Sequence, residues 1–278
     1  MLKAALKRLL LRHGGWEANA WIHSRRARND PIFAESRSLI SDVEPGSALI
    51  LAPHPDDEAI GVGGTMSMHR QAGTNVTVLY LTDGSAGKEI EGLVETRRGE
   101  ARTVGAHYGF KQIFWDEPDT RLRSNPTSAG RLAEILHETK PRYLYLPSFF
   151  EKHVDHFMAN QLAMDALARY RGPEISLCGY EVWDNIVMPN YHIDITEHFD
   201  NKKHMLSLYR TPMKDTNYIR LCEARDAMHH FLQCFGISDG YAEAFFRADP
   251  VTYKSHFDAY VEVLRQTGNP LFIKLATN

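Results

Sequence analysis

The chain is poor in cysteine. It has three in 278 residues, Cys178, Cys222 and Cys234, with no CxxC pair among them. An odd, scattered set excludes a disulfide framework and a thiol redox motif, and fits buried, reduced thiols in a cytoplasmic protein. Charge of one sign is also missing: the net charge is −3, so there is no basic footprint for nucleic acid. No uncharged run approaches the roughly 18–20 residues that span a bilayer. The opening MLKAALKRLLLRHGG lacks the apolar core and small-residue cleavage site of a secretory signal. A G-x-G-x-x-G fingerprint is absent too. The glycines of GVGG follow an acidic cluster instead of a strand, which is a poor seat for a pyrophosphate.

What is present is histidine, 14 residues, more suited to metal or acid–base chemistry than to redox work. The most informative stretch is Ala48 to Gly64, ALILAPHPDDEAIGVGG. Its first six residues read as a fully buried strand of a parallel sheet. His54, Pro55, Asp56, Asp57 and Glu58 follow at once, and Ala59 onward reads as helix. A helix cap explains one acid, whereas three acids beside a histidine call for a divalent cation.

Strands are expected at Ala48 to Pro53, Asn75 to Leu81, Lys111 to Trp115, Arg142 to Leu146, Ile175 to Trp183 and Tyr191 to Ile195, alternating with helices. This is the pattern of βαβ units, hence an α/β fold with a doubly wound, mainly parallel, Rossmann-like sheet and helical additions at both ends. Beyond Thr196 the pattern is helical apart from a short aromatic run, Ala244 to Phe246. The expected layout is a helical N-terminal extension over residues 1–45 and one α/β domain over 46–278. Leu2, Leu6, Leu9 and Leu10 recur at helical spacing among basic residues. That segment reads as a helix docked on the body, with weak membrane-surface contact through residues 1–12 as the alternative.

A second polar cluster, His153, Val154, Asp155 and His156, opens a helix just past the fourth strand. Two such clusters at one sheet edge can converge in one crevice. A catalytic zinc site takes three protein ligands and an open position. His54, one of the paired acids and one of the two helix histidines make that set. The remaining acid is then placed as a base, the remaining histidine as a proton donor, and Asp155 to fix its tautomer.

HPDDE after one strand, TDGSAG after the next, RRGE on the following helix and HVDH after a later strand together resemble the PIG-L/LmbE family of zinc-dependent N-deacetylases. The resemblance covers roughly Ala48 to Arg210. It implies one Zn2+ per chain (other divalent ions being alternatives) held by His54, Asp57 and His156, with Asp56 as general base. It implies that His153 protonates the leaving amine or supports the oxyanion, with Asp155 holding its ring. Arg97 and Asp119 are the substrate-binding candidates. The implied reaction is removal of the N-acetyl group from an amino sugar or glycoconjugate by zinc-bound water. Rival readings are a metal hydrolase of another ester or amide bond and a non-catalytic sugar-binding module.

Overall fold

The computed structural model describes residues 39–85, 90–186, 188–234 and 236–267. Eight strands form one sheet: β1 (Leu39–Ile40), β2 (Ser47–Ala52), β3 (Asn75–Thr82), β4 (Lys111–Glu117), β5 (Tyr143–Pro147), β6 (Ser176–Tyr180), β7 (Tyr191–Asp194) and β8 (Ala242–Ala248). The helices are α1 (Asp57–Gln71), α2 (Leu93–Tyr108), α3 (Pro126–Thr139), α4 (Val154–Leu167), α5 (Phe199–Leu208), α6 (Tyr218–Cys234) and α7 (Pro250–Thr267).

The strand order is β1-β7-β8-β6-β5-β2-β3-β4. From β6 to β4 every pairing is parallel. β8 runs antiparallel to both β6 and β7. Both faces of the sheet are covered, so the strands are apolar on both sides. Along β2, Leu49 and Leu51 enter one core with α3, α4 and α7. Ala48, Ile50 and Ala52 enter the other, with α1, α2, α5 and α6. Gly64 of α1 lies so close to β7's end that a Cβ there would stand 2.7 Å from Ile195.

β2 lies between β3 and β5, so the winding reverses there, and a crevice opens at the carboxyl ends of β2 and β5. The two His/Asp clusters follow those two strands. This topology brings them together.

Two sequence expectations change. The aromatic run at Ala244 to Phe246 is part of a full strand, β8. The sheet also begins before residue 46, because Leu39 and Ile40 pair with His192 and Ile193. The expected helical extension therefore gives way to sheet before its end. Residues 1–38, with the segment read as a docked or membrane-facing helix, lie outside the described residues. Among the described residues, no helix is long and apolar enough to cross a membrane.

Candidate active site

β2 ends at Ala52 and α1 starts at Asp57, so His54 to Asp56 occupy a tight turn at the sheet edge. Asp56 has φ 132° and ψ −26°, a conformation that an L-residue adopts only when its surroundings enforce it. Three contacts do so here. The Asp56 N–H donates to Glu58 Oε2 (3.2 Å). Arg97 of α2 pairs with Asp56 Oδ2 at 3.0 Å and also donates to Pro55 O (2.6 Å) and Gly84 O (2.7 Å). Gly84 of the TDGSAG loop, at φ +65°, packs so closely that a Cβ would meet Pro55 Cδ at 2.8 Å. The second motif thus buttresses the first. Glu58 is itself fully buried and accepts from the hydroxyls of Tyr80 (3.0 Å) and Tyr209.

α4 supplies the facing cluster, with His153 as its N-cap. His54 Nδ1, Asp57 Oδ2 and His156 Nε2 form a triangle with edges of 3.0, 3.3 and 3.3 Å. His54 and His156 are 102 residues apart in the chain. Zinc bonds of about 2.0–2.1 Å in tetrahedral geometry set ligand atoms about 3.3–3.4 Å apart. The triangle fits three such corners.

The outer nitrogens are placed to agree. His54 Nε2 lies 3.1 Å from Asp155 Oδ2 and 3.3 Å from Asp119 Oδ1. Asp155 accepts as well from the N–H groups of Thr120 (2.7 Å) and Leu122 (3.1 Å). With a proton on Nε2 toward Asp155, His54 would offer its Nδ1 lone pair inward to a metal, the arrangement of a ligand braced by a carboxylate. A looser group of His54, His153 and His156 has its ligand atoms within 4.8 Å of one another.

The electrostatics also favour a cation. Burial is the largest single influence and pulls the two imidazoles toward neutrality, but the acids around them together outweigh it. Asp57, Asp119 and Asp155 hold His54 well above the usual range, and Asp57 with Glu151 lifts His156 to about 9. Asp57 is held well below the carboxylate range, against burial, by the two imidazoles. The two inward imidazoles thus take up protons beside the Asp57 carboxylate when no other positive charge is present. His153 goes the other way, down to about 4, through burial and the neighbouring imidazoles. Burial raises Asp56 to about 7, with Arg97 opposing.

Of the residues expected from sequence, His54, Asp56, Asp57, His153 and Asp119 line one cleft together with Arg97. Asp155 and His156 stand fully buried behind it. Two roles shift. Asp155 braces His54 and not His153; His153 Nδ1 instead accepts from the Asp155 backbone N–H (3.3 Å). The family resemblance gives Arg97 to the substrate, yet its guanidinium is committed to Asp56 and two carbonyls. Its first task is to hold the strained turn. Residues that the sequence does not single out include Tyr80 and Tyr209 under Glu58, and the fully buried Glu151. The signal for Glu151 is an acid two residues before His153, just after a strand. The cleft lining also includes Ile90, Leu93, Trp183 and Tyr218.

Fold and site define a class: an open α/β protein whose switch-point crevice holds a buried His/Asp triangle that could hold a metal ion. Residues 49–167 match the family model described as PIG-L: GlcNAc-PI de-N-acetylase. A deacetylase of 1D-myo-inositol 2-acetamido-2-deoxy-alpha-D-glucopyranoside from Kineococcus radiotolerans is 29% identical, covering 50% of this chain and 49% of its own. Diacetylchitobiose deacetylase from Thermococcus kodakarensis is 33% identical over 43% of this chain and 48% of its own. A 4-oxalmesaconate hydratase from Pseudomonas putida is 25% identical over 43% and 51%. The chain thus spans about half the length of the curated relatives it matches. Among solved structures, a conserved protein from Thermus thermophilus, TT1542, is 27% identical with a TM-score of 0.61, covering 71% of this chain and 92% of that one.

Proposed function

We propose that the chain is a zinc-dependent N-deacetylase that releases acetate from an N-acetylated amino sugar or glycoconjugate, leaving the free amine. The observation that carries this reading is the triangle of His54 Nδ1, Asp57 Oδ2 and His156 Nε2, which would hold the ion. When bound, zinc polarises the acetyl carbonyl and lowers the pKa of a water to about 7.

The chain's own residues do the rest. Asp56, fixed by Arg97 and by Glu58 through its backbone N–H, faces the cleft beside Asp57 and accepts the proton of the attacking water. His153, on the same cleft, outside the triangle and neutral because its pKa is lowered to about 4, donates a hydrogen bond to the developing oxyanion. The proton taken up by Asp56 passes to the departing amine. Asp155 keeps His54 in the tautomer that offers Nδ1. Asp119, whose carboxylate reaches the cleft beside His54, would orient a sugar hydroxyl. The free thiols of Cys178, Cys222 and Cys234 support a cytoplasmic setting.

The Pseudomonas relative supports one rival, addition of water to a carbon–carbon double bond. The test is acetate release, with matching mass loss, from a panel of N-acetyl sugars and glycoconjugates by zinc-loaded protein. Acetate release dependent on zinc supports the deacetylase. Hydration of an unsaturated acid with no acetate release would replace it.

A further inference from the structure

Glu151 stands in the turn between β5 and α4 and is fully buried. A carboxylate in such a place must be satisfied on both oxygens. On one side Oε1 accepts from the N–H groups of Val182 (2.7 Å), Trp183 (3.1 Å) and Asp184 (3.2 Å). Oε2 takes a second contact from Trp183 N (3.2 Å). Three successive amides therefore turn toward one side chain and away from the sheet, which is why β6 stops at Tyr180 although the sequence predicts a strand to Trp183. On the other side, Oε2 lies 3.5 Å from His156 Nδ1. That nitrogen is buried and makes no direct hydrogen bond. Its ring partner, Nε2, points into the triangle.

The loop that Glu151 holds is not a neutral bystander. Trp183 is 52% exposed, meets Tyr218 edge-on at 5.4 Å, and with it lines the same cleft as His153. An exposed tryptophan presented by a backbone pinned at three successive amides is a wall of fixed position.

We propose that Glu151 is a positioning residue with two attachments: it sets the tautomer of His156, so that Nε2 is the ligand atom, and it fixes the Trp183 wall of the same cleft. The metal half of this assignment rests on the proposed function; the loop half does not. One carboxylate then keeps the ion and the substrate wall in register, and a shift in either is felt by the other.

Two variants separate the attachments. In Glu151→Gln the amide oxygen still accepts from the three loop amides, but its NH2 is turned on His156 Nδ1. A donor there favours the proton on Nε2, the atom that must be bare to bind zinc. In Glu151→Ala both attachments go. Zinc affinity is read by chelator competition, and the exchange of residues 182–184 by hydrogen–deuterium exchange, on the full chain. Glu151→Gln should weaken zinc binding about 10–100-fold, the usual scale for losing such a brace, while exchange at 182–184 stays near wild type. Glu151→Ala should weaken zinc similarly and speed that exchange about tenfold, the scale of a lost hydrogen bond to a charged group.

Unchanged zinc affinity in Glu151→Gln, with a wild type that binds zinc, overturns this assignment and leaves the proposed function standing. Unchanged exchange in Glu151→Ala overturns the shared attachment. A wild type that takes up no zinc sinks the proposed function and the metal half with it. Should Glu151→Ala fail to fold, Glu151→Gln still decides the metal half. For the loop half, its exchange then does so: opening of 182–184 in a variant that keeps the acceptor would contradict it.

Discussion

α1 is gripped by two buried charge clusters, one at its start and one at its middle, and they are built on opposite plans. At its middle, Val62 leaves helical geometry (φ −138°, ψ 19°) and the hydrogen-bond ladder breaks. Glu243 of β8 accepts the freed N–H groups of Gly64 (3.0 Å) and Thr65 (2.9 Å), acting as a cap delivered from another element. Arg225 donates to the freed Ile60 O at 2.7 Å. Fully buried Lys202 bridges Glu243 (2.7 Å) and Asp226 (2.6 Å), and Arg225 lies beside Asp226 and Glu181. Every acid in this cluster has a fixed cation from the chain. The cleft cluster has six acids, Asp56, Asp57, Glu58, Asp119, Glu151 and Asp155; Arg97 pairs with Asp56, while the imidazoles of His54 and His156 face Asp57, Asp119, Asp155 and Glu151. Those imidazoles gain charge only by taking up protons. The lesson is that a buried cluster neutralised by fixed cations serves the fold, while one that faces its acids with imidazoles is a place for an ion from outside.

The largest effects should fall on the cleft. Asp56→Asn should cut kcat by about 10²–10⁴-fold, the range of a lost proton acceptor, with zinc content near one per chain. Asp57→Ala and His156→Ala should lose metal and turnover together. Metal analysis beside an acetate assay checks all three; an Asp57→Ala protein that kept both would break the comparison. Next comes the sealed cluster. Lys202→Met leaves Asp226 and Glu243 buried without their shared cation and should cost about 3–5 kcal/mol in denaturant unfolding. The folded fraction should bind zinc as wild type does.

Zinc itself should stabilise the wild type by about 2.7 kcal/mol at a hundred times its dissociation constant, and His156→Ala not at all. Chelator should reverse that gain, read as a shift in the unfolding midpoint. The smallest effect is at His69, near the far end of α1, where the partners are the neutral hydroxyls of Tyr145 (2.8 Å) and Thr74 (3.3 Å). Burial lowers it to about 4. The unfolded chain then binds the proton first as pH falls. The stabilisation is intact above about pH 6.5 and is lost on going down toward pH 4, on the order of 2 kcal/mol by pH 5. His69→Gln should flatten that slope in unfolding measured at pH 7 and pH 5. An equal slope in both proteins would show that His69 carries none of it.

What could be read in advance was local. β2 and its HPDD knot declare themselves within a dozen letters, and α1 starts within two residues of its expected place because strand, turn and helix there are one continuous signal. The central α/β winding followed from alternation alone. β8 did not, since AEAFFRA is inserted antiparallel between β6 and β7, and nothing near it in the chain specifies that pairing. β1, two residues long, carries no periodicity to read. The same divide runs through the site. His54, the acid pair Asp56 and Asp57, and the histidine pair His153 and His156 stood out by residue type and position at strand ends, and the family resemblance chose Asp57 and His156 among them. That Asp155 would turn to His54, that Arg97 would close on Asp56, and that Glu151 would gather three amides of a distant loop are facts of packing between elements.

The central claim is best tested by diffraction at the zinc edge from crystals of the zinc-loaded chain. The account expects one anomalous peak per chain, about 2.0–2.1 Å from His54 Nδ1, a carboxylate oxygen of Asp57 and His156 Nε2. A peak bound by His153 and Asp119 instead, or full zinc occupancy elsewhere with this triangle bare, would contradict it.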